Sequence, residues 1–261
     1  MLAGLARPPH ERRQMSLRAL PLAFAAALLF VASAVPSGSW AMTQGYSKAA
    51  ARVLTQARAA AGGAGWNTLR GWHETGTRNG VRYEAWLDPV RYGLRLELKT
   101  PAGPDVRGFN GFGDWRITPA GAVTGVDVTN LRSDMRTEAF FDVRGYFYPG
   151  RFDASADLLG VRRLGAQSFD VVTVKPWNGH ARELWFDRKT HLLTRMVERG
   201  ASGATVWRLS DYRKVGPVKV AFRIETEAGP GPIPYAPARQ IESLDFRPAD
   251  RAVFSLPRPN P

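Results

Sequence analysis

The 261-residue chain contains no cysteine. That excludes a disulfide framework, thiolate metal sites, a cysteine nucleophile and lipidation on an N-terminal cysteine. Histidine is scarce: four in all, with only His73, His180 and His191 beyond residue 41. His191 sits at a hairpin turn and His180 beside Asn178-Gly179, so both read as solvated loop residues. His73-Glu74 falls in a strand, where adjacent side chains point to opposite faces, so the pair does not converge on one metal. Asp-Thr-Gly, Asp-Ser-Gly and Gly-x-Ser-x-Gly are all missing, leaving an aspartic dyad or a nucleophile elbow without a signature. The glycines of Phe109-Asn110-Gly111-Phe112-Gly113-Asp114-Trp115 lack phosphate-loop spacing and precede no helix start, so they read as a bent hairpin. Asp114, Asp187 and Asp211 lie at turns or strand ends, where capping accounts for them. The sequence is read as carrying no catalytic residue, no metal site and no cofactor.

Acidic residues are the minority, 23 against 36 basic ones, giving a formal charge of +13. Four arginines and one glutamate lie in the first 41 residues, so the remainder carries about +10. Thirty of the basic residues are arginine, scattered rather than blocked. This excludes a nucleic-acid tract and suits transient contact with an anionic membrane surface or with envelope proteins. Long apolar runs are absent except from Ala19 to Ala34. That run follows Arg12, Arg13 and Arg18 and leads to small-residue exits after Ala34 or Ala41. Too short for a comfortable span, it reads as a secretory signal peptide over residues 1–41, with an uncleaved anchor as the alternative. The exported product is expected to be soluble, monomeric and periplasmic. Residues 42–256 suffice for one β-rich domain, and 257–261 form a fraying tail.

Thr43 to Ala61 reads as a helix with a shallow Ala-rich face, stopped by Gly62-Gly63. From Trp66 the period changes to two: Val81, Tyr83, Ala85 and Leu87 share a face, and Leu94, Leu96 and Leu98 alternate with Arg95 and Glu97. Asn79-Gly80 is a hairpin signal, because both positions tolerate positive φ. Asn130 or Ser133 can cap a second helix with Met135, Ala139, Phe140 and Val143 on one stripe. It ends near Gly145 and runs into the aromatic stretch Tyr146-Phe147-Tyr148-Pro149-Gly150-Arg151-Phe152, a plug for the core, a lid over an apolar ligand site or a membrane-touching loop. Strands resume from Gly165 to Lys175, Ala181 to Glu198, Ala204 to Lys214, Val218 to Glu227 and Arg239 to Phe246. The Pro-rich segment from Gly229 is a loop. The spacing predicts a mainly β fold with some α. About 10–11 strands form a curled antiparallel sheet, a half-barrel, covering an N-terminal helix and one inserted helix. Such a trough, with two helices to fill it, tends to leave an apolar cavity.

The hairpin Leu184-Trp185-Phe186-Asp187-Arg188-Lys189-Thr190-His191-Leu192-Leu193-Thr194-Arg195 resembles one in the bacterial outer-membrane lipoprotein carrier and receptor superfamily (LolA/LolB-like). There it reads apolar-Trp-x-Asp-x-x-Thr-x-Leu-x-x-Arg. Phe109-Asn110-Gly111 with Trp115 is similar to the family's Asp-Gly-x-x-x-Trp turn, and Asp250-x-x-x-Phe254 to its closing segment. The likeness spans most of residues 43–256. It implies a convex antiparallel sheet wrapped over helices, with a cavity for acyl chains or other apolar groups. Two departures stand out: the aromatic insert after Val143 and the lack of the receptor branch's lipidated cysteine. The function expected is a soluble periplasmic carrier or binding protein for a hydrophobic small molecule, lipid, acyl chain or lipoprotein anchor. The residues expected to line the site or its lid are Tyr83, Leu94, Leu96, Met135, Phe140, Val143, Tyr146, Phe147, Leu184, Phe186 and Phe222. An envelope interaction or stress-sensing module, which family precedent suggests, and a hydrolase assembled from distant residues are the alternatives.

Overall fold

A computed structural model describes residues 45–124, 134–201, 203–227 and 235–257, without the side chains of 235–237. The expected signal peptide, the caps at Asn130 or Ser133, most of the Pro-rich loop and residues 258–261 lie outside the described residues.

Alternation becomes one continuous antiparallel sheet. Its strands are β1 (Trp72–Arg78), β2 (Val81–Asp88), β3 (Gly93–Thr100), β4 (Gly103–Phe109), β5 (Asp114–Ile117), β6 (Val123–Thr124) and β7 (Ala154–Leu164). There follow β8 (Gln167–Pro176), β9 (Arg182–Asp187), β10 (Leu193–Gly200), β11 (Gly203–Val215), β12 (Val218–Glu227) and β13 (Tyr235–Asp245). Two meanders run outward from a central pair, β1 against β13, and end unclosed at β6 and β7. A twisted sheet this wide curls. Three registered rows cross the inner face of β1 to β4: Trp72, Leu87, Leu94 and Phe109; Glu74, Ala85 and Leu96; Gly76, Tyr83 and Leu98.

Thirteen strands replace the expected 10–11. One addition is the two-residue β6. The other is β7, whose period-2 pattern fails at Leu158-Leu159-Gly160. Gly160 has φ +98 and sits at a register shift against β8, so the strand carries a bulge that scrambles alternation. β13 also starts earlier than expected, at Tyr235. Pro237 is tolerated there because it lies opposite Glu225, beside a second register shift.

The first helix, α1 (Lys48–Ala60), starts later than the expected Thr43. Ser47 caps it by accepting from the Ala50 N–H at 3.3 Å. Before the cap Tyr46 bridges β7: Ala156 receives the Ser47 N–H (2.9 Å) and donates to the Gly45 carbonyl (3.0 Å). Ala50, Val53, Leu54 and Ala57 form the shallow buried face. At the stop, Gly62 has φ +129, and a Cβ there would lie 2.6 Å from the Pro217 carbonyl, so the helix end and the β11–β12 turn touch backbone to backbone.

The second helix, α2 (Asp134–Asp142), buries Met135, Ala139, Phe140 and Phe141 in the core and is tied to its surroundings by polar contacts as well. The Tyr92 hydroxyl donates to the Arg136 carbonyl (2.6 Å), and Thr137 Oγ1 receives the His180 N–H (2.8 Å). The His180 ring reaches Asp134 at 2.9 Å. His180 is therefore half-buried and tied to α2, rather than the free loop residue its neighbours suggested. After α2, Tyr146, Phe147, Tyr148 and Phe152 are all buried and plug the trough.

Candidate functional site

The expected hollow is divided in two by this plug. Between α1 and the sheet, beside Ala57, Trp66, Tyr146, Phe186 and Val220, the free space shrinks to about 10 Å³, room for one water at most. Toward the β1–β2 hairpin, which turns at Asn79-Gly80 (φ 48 and 78), the inner face stays partly uncovered and a recess of about 440 Å³ opens. Its walls are Val81, Leu96, Leu98, Met196, Trp207 and Ile224, from five strands. Its polar lining is Arg78, Arg107, Arg182 and Arg239 from the sheet and Glu138 and Asp142 from α2.

Those charges are mostly paired. Glu74, fully buried on β1, receives the Trp72 indole N–H (2.8 Å), the Tyr83 hydroxyl (2.8 Å) and the Arg239 guanidinium. Arg239 also donates to the Tyr83 oxygen (3.2 Å) and to Asp142 Oδ1 (3.0 Å). Arg78 bonds Glu138 and lies 3.8 Å from Asp142. Glu138 and Asp142, one turn apart, thus clip α2 to the two central strands. Arg182 bonds Glu198 (2.7 Å) while lying 4.8 Å over both Phe141 and Trp207. Arg107 donates from Nη2 to Asp105 Oδ2 (3.2 Å), while its buried Nε has no partner among the described residues.

Burial opposes ionisation of Asp142, but Arg239, Arg78, Arg144 and Arg182 outweigh it and hold the carboxyl below its usual range. Burial likewise opposes the charge on Arg239, yet Asp142 and Glu74 outweigh it and push the guanidinium further up, so it stays charged at every working pH. Burial raises the Tyr83 hydroxyl, keeping it a neutral donor. A carboxyl with a lowered folded pKa contributes stability above its unfolded value, about 3.9, and loses it as pH falls through the lower folded value. Denaturation midpoints from pH 7 to pH 2 should therefore fall on the acid side. Asp142→Asn should flatten that limb; an unchanged limb would mean that Asp142 is not held by these arginines.

Of the residues expected at the site, Leu96 lines the recess. Tyr83 lies behind it in the Glu74–Arg239 network. Tyr146, Phe147 and Phe186 border the small central space. Leu94, Met135, Phe140, Val143 and Leu184 are packed in the buried core, as is Phe222, under the Arg213 guanidinium at 4.5 Å. The lining residues not anticipated are Val81, Leu98, Met196, Trp207 and Ile224, with the four arginines. A signal existed for Val81 and Leu98, since they end the same apolar stripes as Tyr83 and Leu96 beside the hairpin glycine. Nothing local marked Met196 or Trp207.

His73 and Glu74 do point to opposite faces. On the outer face His73 lies between Glu84 (2.8 Å) and Asp245 (3.3 Å), its ring 4.0 Å from that of Trp86 and tilted 34° to it, and is reached by Arg247 at 2.9 Å. Among the described residues no three His, Asp or Glu side chains are placed to hold a metal ion, and no helix is long and apolar enough to cross a membrane.

These features define a class: a curled, unclosed antiparallel sheet over two helices, with a partly apolar recess at one end of its inner face. No protein-family model matches the sequence, and no curated protein is similar to it. Among solved structures the chain is similar to a LolA superfamily protein from Nitrosomonas europaea, at 12% identity over 79% of this chain and 97% of that one, with a TM-score of 0.49. It is also similar to a putative outer membrane lipoprotein-sorting protein domain from Vibrio parahaemolyticus (13%, 75% and 91%, TM-score 0.47). A third likeness is to a DUF1329 family protein from Desulfovibrio piger (13%, 79% and 97%, TM-score 0.43).

Proposed function

We propose that the protein is an exported, periplasmic carrier or binding protein. In this reading residues 1–41 are removed, 42–256 act as one domain, and the recess shelters the apolar part of a ligand: an acyl chain, a lipid or a lipoprotein anchor. The observation that carries the reading is the recess itself, about 440 Å³ with aliphatic and Trp walls that the helices leave unfilled. That volume lies within the roughly 300–1,000 Å³ range of small-molecule sites. Each methylene moved from water onto such walls contributes about 0.8 kcal/mol. α2, clipped by Glu138 and Asp142, is the element whose movement admits the ligand.

Native mass spectrometry of protein purified from cell envelope should find a bound lipid or fatty acid, and a fluorescent fatty acid should bind. Leu98→Trp, which fills the recess from its wall, should weaken that binding about tenfold or more. A protein that is always empty and gives no fluorescence change would sink the reading.

A second reading, a module that takes an extended partner segment, is favoured by the edge strand β7. Gly45–Ser47 already adds to it at Ala156, while Val161 and Leu164 further along are exposed. Capture of one stoichiometric envelope protein, lost on Val161→Pro, would support it over the carrier.

A further inference from the structure

On the outer face of the sheet one registered row runs Asp245, His73, Trp86, Arg95, Gly108 and Trp115, from β13 across β1, β2, β3 and β4 to β5. The segment that follows β13 touches both ends of this row. At its root Phe246 packs edge-on against Trp72 at 5.4 Å, and the Arg247 guanidinium lies 2.9 Å from the His73 ring and 4.8 Å over Trp86. At its tip Phe254 is buried against Gly93, and its carbonyl receives the Trp115 indole N–H at 2.9 Å. Between these ends no backbone–backbone hydrogen bond among the described residues ties 246–255 to the sheet. Asp250 and the turn Arg251–Phe254 bond within the segment itself. It is a strap fastened at two points.

The root fastening contains a conflict. His73 Nδ1 has two neighbours, Arg247 Nη2 at 2.9 Å and Asp245 Oδ2 at 3.3 Å. A guanidinium only donates and a carboxylate only accepts, while one ring nitrogen carries either a lone pair or a proton. The two contacts therefore exclude each other as hydrogen bonds. In the neutral ring Nδ1 accepts from Arg247 and Nε2–H donates to Glu84 at 2.8 Å. In the cation Nδ1–H donates to Asp245, Nε2–H still serves Glu84, and Arg247 loses an acceptor and faces a like charge. It keeps only Asp245 Oδ1, at 3.3 Å, and the Trp86 ring. Glu84 on β2, Asp245 on β13 and Arg247 on the strap are the charged groups that face the ring. One strand further, Arg95 and Glu97 on β3 bond each other at 3.3 Å.

We propose that His73 is a proton-operated latch for this strap: neutral, it holds Arg247 and closes the root, and protonated, it turns to Asp245 and lets Arg247 go. Imidazole is the side chain that changes charge between about pH 5 and about pH 8, so mild acid opens the latch. Opening loosens the tip and uncovers Trp115 on the outer face, in one row with Trp86. The device is independent of what the recess holds.

Nuclear magnetic resonance of the full chain at about pH 8 and about pH 5 tests this. Long-range nitrogen–proton spectra should show His73 protonated on Nε2 alone at the higher pH and on both nitrogens at the lower. Exchange of the Trp115 indole N–H, corrected for its intrinsic pH dependence, should lose about tenfold in protection at the lower pH, because a hydrogen bond to a charged group is worth roughly 10–100-fold. The Trp66 indole N–H, bonded to the Ala61 carbonyl at 3.1 Å away from the strap, should not change. Arg247→Met should give the low Trp115 protection at both pH values, and His73→Asn should remove the pH dependence. Arg247 is half exposed, so its variant keeps the test valid if His73→Asn misfolds. A proton on Nδ1 at the higher pH, equal Trp115 protection at both, an equal fall at Trp66 or a fall that persists in Arg247→Met would each overturn the proposal.

Discussion

Arg239→Ala should lower the unfolding free energy by about 3–5 kcal/mol, read from urea or guanidinium denaturation, with α2 loosened from the sheet. The arginine is 5% exposed and its partner Glu74 0%. Removing it leaves a carboxylate in the core with only the Trp72 and Tyr83 donors, and releases Asp142 from one of its two sheet arginines. Desolvating an uncompensated charge, more than losing a contact, makes the cost large. A double replacement, Glu74→Gln with Arg239→Met, should therefore recover most of the loss, because the glutamine oxygen still accepts from Trp72 and Tyr83. The exposed pair Arg213–Asp211, at 51% and 38% exposure, is the contrast: Arg213→Ala, which also uncovers the Phe222 ring, should cost no more than about 1 kcal/mol. If Arg239→Ala were as mild as Arg213→Ala, the clip between α2 and the central strands would not exist.

That clip also shows where reading along the chain stops. Local chemistry was legible. Asn79-Gly80 does adopt positive φ at both positions, and Asp187 Oδ1 does receive the Lys189 and Thr190 N–H groups at 2.9 and 2.8 Å. The inner stripes Tyr83–Leu87 and Leu94–Leu98 face the core side in register. Each of these depends on residues a few positions apart. The pairing of β1 with β13 does not, and it places Arg239 against Glu74, 165 residues away. No periodicity announces that the first and last long strands are neighbours, so the charged inner lining of the recess was invisible while its aliphatic wall was half visible. The aromatic stretch was legible as plug or lid but not as which, because that turns on the space left around Tyr146 and Phe147.

The plug answers to a second large effect. Phe140→Ala should cost about 3–5 kcal/mol, at the upper end for truncation of a core aromatic. The cost depends on how far the surroundings can collapse, and here they are pinned. Phe140 is fully buried among Phe141 (5.2 Å), Tyr92 (6.0 Å) and Phe152 (6.1 Å). Tyr92 is held by its bond to the Arg136 carbonyl, and Tyr148, beside Phe152, by a 2.6 Å bond to the Trp66 carbonyl. Gly145 leaves no room for rearrangement: a Cβ there would stand 2.5 Å from the Phe140 ring. Leu98→Ala, on the partly open recess wall, should stay within about 1 kcal/mol of the parent. The two variants should separate again in ligand binding. Phe140→Ala keeps the recess and should still bind a fluorescent fatty acid, whereas Leu98→Ala loses apolar wall and should bind it more weakly at nearly native stability. Should Phe140→Ala abolish binding while the protein stays folded, the ligand would lie at the plug and not at the recess, and the site would shift to the residues that the aromatic pattern first suggested.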